Sequence, residues 1–191
     1  MTHTQGALVV AMIKYIAING PARSGRTTLA RELSRYLSSH GTVVLDSIEA
    51  PIKHFVATTL GDSYKFLDKE LERSVLYGYS VNTFKKRLRH FLEDEFGPDV
   101  LTRWLVHRNL RPLKIPNFVI IDDASNKDNI ESLPNRIVVT LRRDDCKFDS
   151  DETYLPAADF IIDNSEHVID LYKFASIITD RITTPLEGDT Q

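Results

Sequence analysis

The stretch Tyr15-Ile16-Ala17-Ile18-Asn19-Gly20-Pro21-Ala22-Arg23-Ser24-Gly25-Arg26-Thr27-Thr28 constrains this chain more than any other. An apolar run suited to a buried strand passes into a loop bounded by glycines, and the loop passes into a helical sequence. Gly20, Gly25, Arg26 and Thr27 fill the fixed positions of G-x-x-x-x-G-K-[ST], with arginine in place of the lysine. A loop of this kind lays backbone N–H groups around the phosphates of a nucleotide, and the following helix N-terminus adds partial positive charge. Gly20, Ala22, Arg23, Ser24, Gly25, Arg26, Thr27 and Thr28 are therefore the expected phosphate-binding residues. Gly25 is expected to make a tight turn against the ligand. Arg26 would carry a cation to the terminal phosphates, and the Thr27 hydroxyl would ligate Mg²⁺.

Length and composition fit a single α/β domain over residues 12–183: 191 residues, 42% hydrophobic and 27% charged. Residues 1–11 read as a loose N-terminal arm and 184–191 as a polar tail. A net charge of −3 argues against a dominant nucleic-acid surface, which needs a basic excess. The single cysteine, Cys146, excludes an intramolecular disulfide and a multi-thiolate zinc site. His3, His40, His54, His90, His107 and His167 are scattered without ligand spacing and read as surface or core residues. The apolar run at 7–13 is too short to span a bilayer and lacks the basic flank of a secretory signal. No membrane association is expected, and the expected location is the cytoplasm, that of the host if the chain is phage-encoded. The sequence leaves a homodimer open.

Periodicity supplies the elements. Residues 27–39 place Leu29, Leu33, Tyr36 and Leu37 on one helical face, with Gly41 as the stop. A second strand covers 42–45 and ends at Asp46; Pro51 then opens a helix running to Leu60, where Gly61 ends it. Residues 63–111 read as mostly helical. Val81, Phe84, Leu88, Phe91, Leu92 and Phe96 form one apolar stripe, capped by Ser80 or Asn82. Gly97-Pro98 breaks that helix, and the next is expected to carry Leu101, Trp104, Leu105 and Leu110 inward. Strands are expected at 117–123, 136–141 and 159–163, and a last helix from Ser165 with Val168, Leu171, Ala175, Ile178 and Ile182 inward. Near-continuous apolar strands, rather than alternating ones, are what a parallel sheet covered on both faces requires. The alternation of strands and helices then sets the ligand at the strand C-termini.

Three constellations carry chemistry beyond the loop. Phe118-Val119-Ile120-Ile121-Asp122 is an apolar strand ending in an acid, the form in which a carboxylate reaches Mg²⁺ or its water beside a nucleotide. Asp122 is favoured for that role; Asp123 competes and is the better candidate for a structural cap. A basic set, Lys85, Lys86, Arg87, Arg89, Arg103, Arg108, Arg111 and Lys114, falls in the helical middle. Most of these read as solvated helix faces, but phosphoryl transfer needs cations on the acceptor side too, so Arg87, Arg89 or Arg103 is a candidate. Arg142 and Arg143 follow the fourth strand, and residues 142–156 could close as a small lid.

With these residues in view, the chain resembles the deoxynucleoside monophosphate kinases of bacteriophages. Gly20-Pro21-Ala22-Arg23-Ser24-Gly25-Arg26-Thr27-Thr28 is similar to that family's G-x-x-R-S-G-K-D-T loop, and Ala50-Pro51-Ile52-Lys53 to an A-x-P-I-K-like element. Phe91-Leu92 through Phe96-Gly97-Pro98-Asp99, Trp104, Val119-Ile120-Ile121-Asp122-Asp123, Ser150-Asp151-Glu152 with Leu155-Pro156, and Asp159-Phe160-Ile161-Ile162-Asp163-Asn164 resemble later family segments. The resemblance implies a P-loop NTPase fold: a five-stranded, mostly parallel sheet covered by helices on both faces, with a helical substrate-side insertion over 63–116. It implies transfer of the ATP γ-phosphoryl group, with Mg²⁺, to a (deoxy)nucleoside monophosphate. Lys53 would lie near the acceptor, with Arg87, Arg89 or Arg103, and Arg142 near the transferring phosphates beside Arg26. The chain departs from the family at Arg26, at Asp123-Ala124-Ser125, which lacks the arginine of D-x-R, and in its shorter middle. Two rival readings keep the loop. One is a small-metabolite kinase, since similar loops occur in animal phosphomevalonate kinases; the other is a degenerate nucleotide-binding module.

Overall fold

Strand β1 (Lys14–Asn19) is buried from Tyr15 through Asn19, so it can only be an interior strand with both faces covered. In the computed structural model, which describes residues 13–60, 80–111, 115–146, 157–165 and 168–184, it lies at the centre of a five-stranded sheet. Its neighbours are β3 (Phe118–Ile121) and β4 (Arg136–Arg142); β2 (Val43–Asp46) lies outside β3, and β5 (Phe160–Asp163) outside β4. All four pairings are parallel, giving the order β2-β3-β1-β4-β5. The two edge strands are only partly buried, as one-sided pairing predicts.

Strand residues alternate between two cores. Ile16, Ile18, Ile120, Val139, Leu141 and Ile162 face helices α1 (Arg26–Leu37) and α6 (Val168–Thr183), meeting Leu29, Leu33, Leu171, Ala175 and Ile178. Tyr15, Ala17, Val119, Ile121 and Val138 face the other way. There they meet Ile52 of α2 (Ala50–Leu60), Leu101 and Leu105 of α4 (Val100–Asn109), and Ile130 of α5 (Lys127–Glu131). Helix α3 (Val81–Phe96) packs over α2 and α4. The Lys14 ammonium donates to the Ile182 carbonyl at 2.7 Å, tying the end of α6 to the start of β1. The chain is thus an α/β protein with a doubly covered, all-parallel sheet. None of the described helices is long and apolar enough to cross a membrane.

Several local expectations change. Helix α1 ends at Leu37, and Gly41 is not its stop. Gly41 instead abuts Asn117, whose Oδ1 accepts from the Thr42 N–H at 2.9 Å; an added Cβ would come within 2.6 Å of that oxygen. Strand β3 closes at Ile121, leaving both aspartates beyond it, and α6 begins at Val168. Ser80, not Asn82, caps α3 by accepting from the Thr83 N–H at 3.1 Å. Phe91 and Phe96 are 56% and 55% exposed, and Trp104 40%, so α3 and α4 turn narrower apolar stripes inward than their sequences imply. Expectations for the arm at 1–11, Gly61, 63–79, Pro112, Lys114, the lid sequence after Cys146 and the tail after Thr184 lie outside the described residues.

Candidate functional site

The connection from β1 to α1 is wound tightly. Gly20 (φ 152°), Arg23 (φ 67°) and Gly25 (φ 102°) have positive φ, and the Ser24 N–H donates to the Pro21 carbonyl at 3.2 Å. Gly25 caps α1 with no side-chain acceptor, and no acid occupies the first turn. A Cβ on Gly25 would lie 2.9 Å from both the Asn164 amide nitrogen and a Leu171 methyl. The glycine therefore serves its positive φ and its close packing against Asn164 and α6.

Parity along β3 separates the two aspartates. Asp122 turns toward α1, where its Oδ2 accepts from the Thr27 hydroxyl at 2.7 Å across 95 residues of sequence. Asp123 turns toward α2. It accepts from the Ser47 hydroxyl, from the Ile48 N–H at 2.9 Å and from the Lys53 ammonium at 3.2 Å, with a long contact to the Glu49 N–H at 3.4 Å. Asp123 thus organises the turn that starts α2, the structural role expected of it. Adjacent parallel strands β1 and β3 send their following helices to opposite faces, so Thr27 and Asp122 meet where a parallel sheet opens a crevice at its C-terminal edge.

Across the sheet edge, cations and carboxylates alternate. Lys53 also donates to the Ser47 hydroxyl at 2.8 Å. Arg89 on α3 is ion-paired with Glu49 just before α2. Arg108 on α4 grips Asp46 through two nitrogens, at 2.9 and 2.5 Å, and donates to the Ser47 carbonyl; Asn109 adds a bond to Asp46 at 2.7 Å. Arg103 is turned to the α3–α4 junction, toward Asp99 at 3.3 Å and the Phe96 carbonyl, and lines a hollow with Val106, His107 and Pro134. Arg87 lies on α3. Arg142 ends β4 with an exposed side chain, so the fourth strand runs one residue further than the expected 136–141. Its neighbour Arg143 reaches the loop, donating to the Arg23 carbonyl at 3.2 Å while paired with Asp145 at 2.6 Å. The Arg143 guanidinium holds the Asp145 carboxyl below its usual range.

Sequence reasoning missed Asp46 as an anchor, Asn109, and Asn164, whose buried amide donates to the Ser24 carbonyl at 2.8 Å. The signal for Asp46 was its place at a strand end beside two further strand-end acids. Among the described residues no three His, Cys, Asp or Glu side chains gather into a metal cluster. No protein-family model matches the chain, and no curated protein matches it closely.

Proposed function

We propose that this chain is a P-loop phosphotransferase that moves the γ-phosphoryl group of ATP to a (deoxy)nucleoside monophosphate. The observation that carries the reading is the Thr27–Asp122 contact at 2.7 Å. A hydroxyl at a helix N-terminus and a carboxylate at the end of the adjacent strand are the hard oxygen donors that Mg²⁺ takes alongside substrate phosphates. Mg²⁺ bound there with ATP would be held by Thr27 and Asp122, and it supplies neutralisation of the charge spread over the phosphate oxygens.

The chain's own residues supply the rest. The loop from Gly20 to Thr28 offers backbone N–H groups and the α1 dipole to the phosphates. Arg26, at the first position of α1, brings a guanidinium whose planar fork can span two oxygens. Lys53 and Arg89, bonded to Asp123 and Glu49 near the start of α2, would meet the acceptor phosphate as cations. Transfer then rests on positioning and electrostatics, with no covalent intermediate.

A second reading has its own support. Lys53, Arg89 and Arg108 are each balanced by a carboxylate, which suits an acceptor presenting hydroxyls as well as a phosphate, as in a small-metabolite kinase. Calorimetry with ATP and Mg²⁺, followed by an ADP-release assay over monophosphates and small phosphorylated alcohols, tests all of this. Turnover confined to nucleoside monophosphates supports the first reading, and turnover on the alcohols the second. Binding without turnover on any acceptor indicates a nucleotide-binding module. Absence of ATP binding overturns the site.

A further inference from the structure

Two side chains from beyond the loop hold it by its carbonyl groups. The Asn164 amide, at the end of β5, donates to the Ser24 carbonyl at 2.8 Å, and Asn164 is only 7% exposed. Asn164 is itself fixed, since its backbone N–H donates to the Arg142 carbonyl at 2.8 Å. Arg143 donates to the Arg23 carbonyl at 3.2 Å, and its guanidinium is oriented by Asp145 at 2.6 and 3.0 Å. We propose that Asn164 and Arg143 are positioning residues that preset the loop for phosphate by fixing the direction of its peptide planes.

A trans peptide is planar, so its C=O and N–H point in opposite directions. Pinning the Ser24 carbonyl toward β5 therefore turns the Gly25 N–H toward the concave side of the loop, where an anion would lie. Arg23 is the one non-glycine residue of the loop at positive φ, a conformation that persists only when its surroundings over-determine it. The Arg143 bond to its carbonyl, together with the Ser24 N–H bond to Pro21, supplies that restraint on both sides of one peptide. The Asn164 amide also lies against Gly25, within 2.9 Å of where a Cβ would stand, so the contact spans the residue that caps α1. Both donors come from the β4 and β5 ends, so the loop is braced from the side of the sheet opposite to Asp122. The role in phosphate binding rests on the nucleotide-site reading above; the bracing itself does not.

The test compares Asn164→Asp, which keeps the shape but turns a donor into an acceptor facing a carbonyl, with Arg143→Ala, a change at a partly exposed site that leaves the core intact. Amide hydrogen exchange of residues 22–26 in the ligand-free protein is read first. Each lost bond should speed exchange there by about tenfold, with α6 and the sheet unchanged. Affinity for ATP with Mg²⁺, and for inorganic tripolyphosphate as a probe without a base, should fall by about tenfold in each variant, with KM for the acceptor unmoved. Unchanged loop exchange in Arg143→Ala overturns the bracing, even if Asn164→Asp does not fold. Faster exchange with unaltered tripolyphosphate affinity overturns the presetting role. A wild-type protein that binds neither ATP nor tripolyphosphate overturns the nucleotide site instead, while the exchange data still decide the bracing.

Discussion

Asp122 and Asp123 are neighbours in sequence and opposite in consequence, and alanine at each position separates the two roles. Asp123 accepts from the Ser47 hydroxyl, the Ile48 N–H and the Lys53 ammonium around the start of α2. Removing it strands a backbone donor and a hydroxyl in a partly buried turn and leaves Lys53 without its carboxylate. At about 1 kcal/mol for each lost bond, with more for a stranded donor, Asp123→Ala should cost roughly 2–4 kcal/mol. In a chain of this size each kcal/mol lowers Tm by about 2–4 °C, so melting should fall by roughly 4–16 °C. Among the described residues Asp122 makes one exposed contact, to Thr27, and Asp122→Ala should cost under about 1 kcal/mol. Its effect should appear in ATP turnover, with a loss on the order of 100-fold. Thermal unfolding by circular dichroism and an ADP-release assay on both variants give the two numbers. If Asp122→Ala is the unstable variant and Asp123→Ala melts within a degree of wild type, the assignment of the aspartates to opposite faces is wrong.

Other outcomes can be measured alongside. Arg26→Ala should lower turnover on the order of 100-fold, and wild-type turnover would make this arginine a spectator. Lys53→Ala should raise KM for the monophosphate far more than KM for ATP; equal shifts in steady-state kinetics would place it outside the acceptor side. Gly25→Ala should lower urea-unfolding stability by about 1–3 kcal/mol through its positive φ and the contacts with Asn164 and Leu171, and an unchanged midpoint would contradict that packing. Burial, with the Asp46 charge, pushes the Tyr15 hydroxyl up to about 12 from 10.0. The folded protein thus keeps a proton that the unfolded chain loses, and stability should decline as pH rises from about 10 to 12 by up to about 1.4 kcal/mol per unit. Among the described residues the buried Tyr15 hydroxyl has no hydrogen-bond partner, so Tyr15→Phe should fold equally well at neutral pH and show a shallower alkaline decline.

What the sequence revealed follows from how local each cause is. The apolar strand runs, the Ser80 cap and the glycine-bounded loop each depend on residues a few positions apart, and the structure has all of them. The alternation of β3, continued past its end, also separates Asp122 from Asp123. The errors come from contacts across long separations. Whether Trp104, Phe91 and Phe96 turn inward depends on which helix covers them, and their spacing fits a stripe wider than the one that packs. Arg108 and Asp46 are 62 residues apart, and no spacing rule singles out Arg108 from the other cations of its helix. Asn164 and Ser24 lie 140 apart, and an asparagine after a strand reads as a turn residue until the loop is seen against it.

The central position of β1 has a consequence for how the chain acquires its shape. Strand β1 pairs with β3 and β4 on its two sides, so its partners begin about a hundred residues later. The intervening β2 does not substitute, because among the described strands it pairs only with β3. Pairing at such separations requires closing long loops before any contact rewards them, which slows the search. During synthesis, the apolar β1 run emerges well before residue 136 and has no sheet to join. This interval is when it is most open to self-association or to a chaperone. A temperature-sensitive defect in yield, with normal behaviour of the mature protein, is the phenotype to look for in variants that weaken β4.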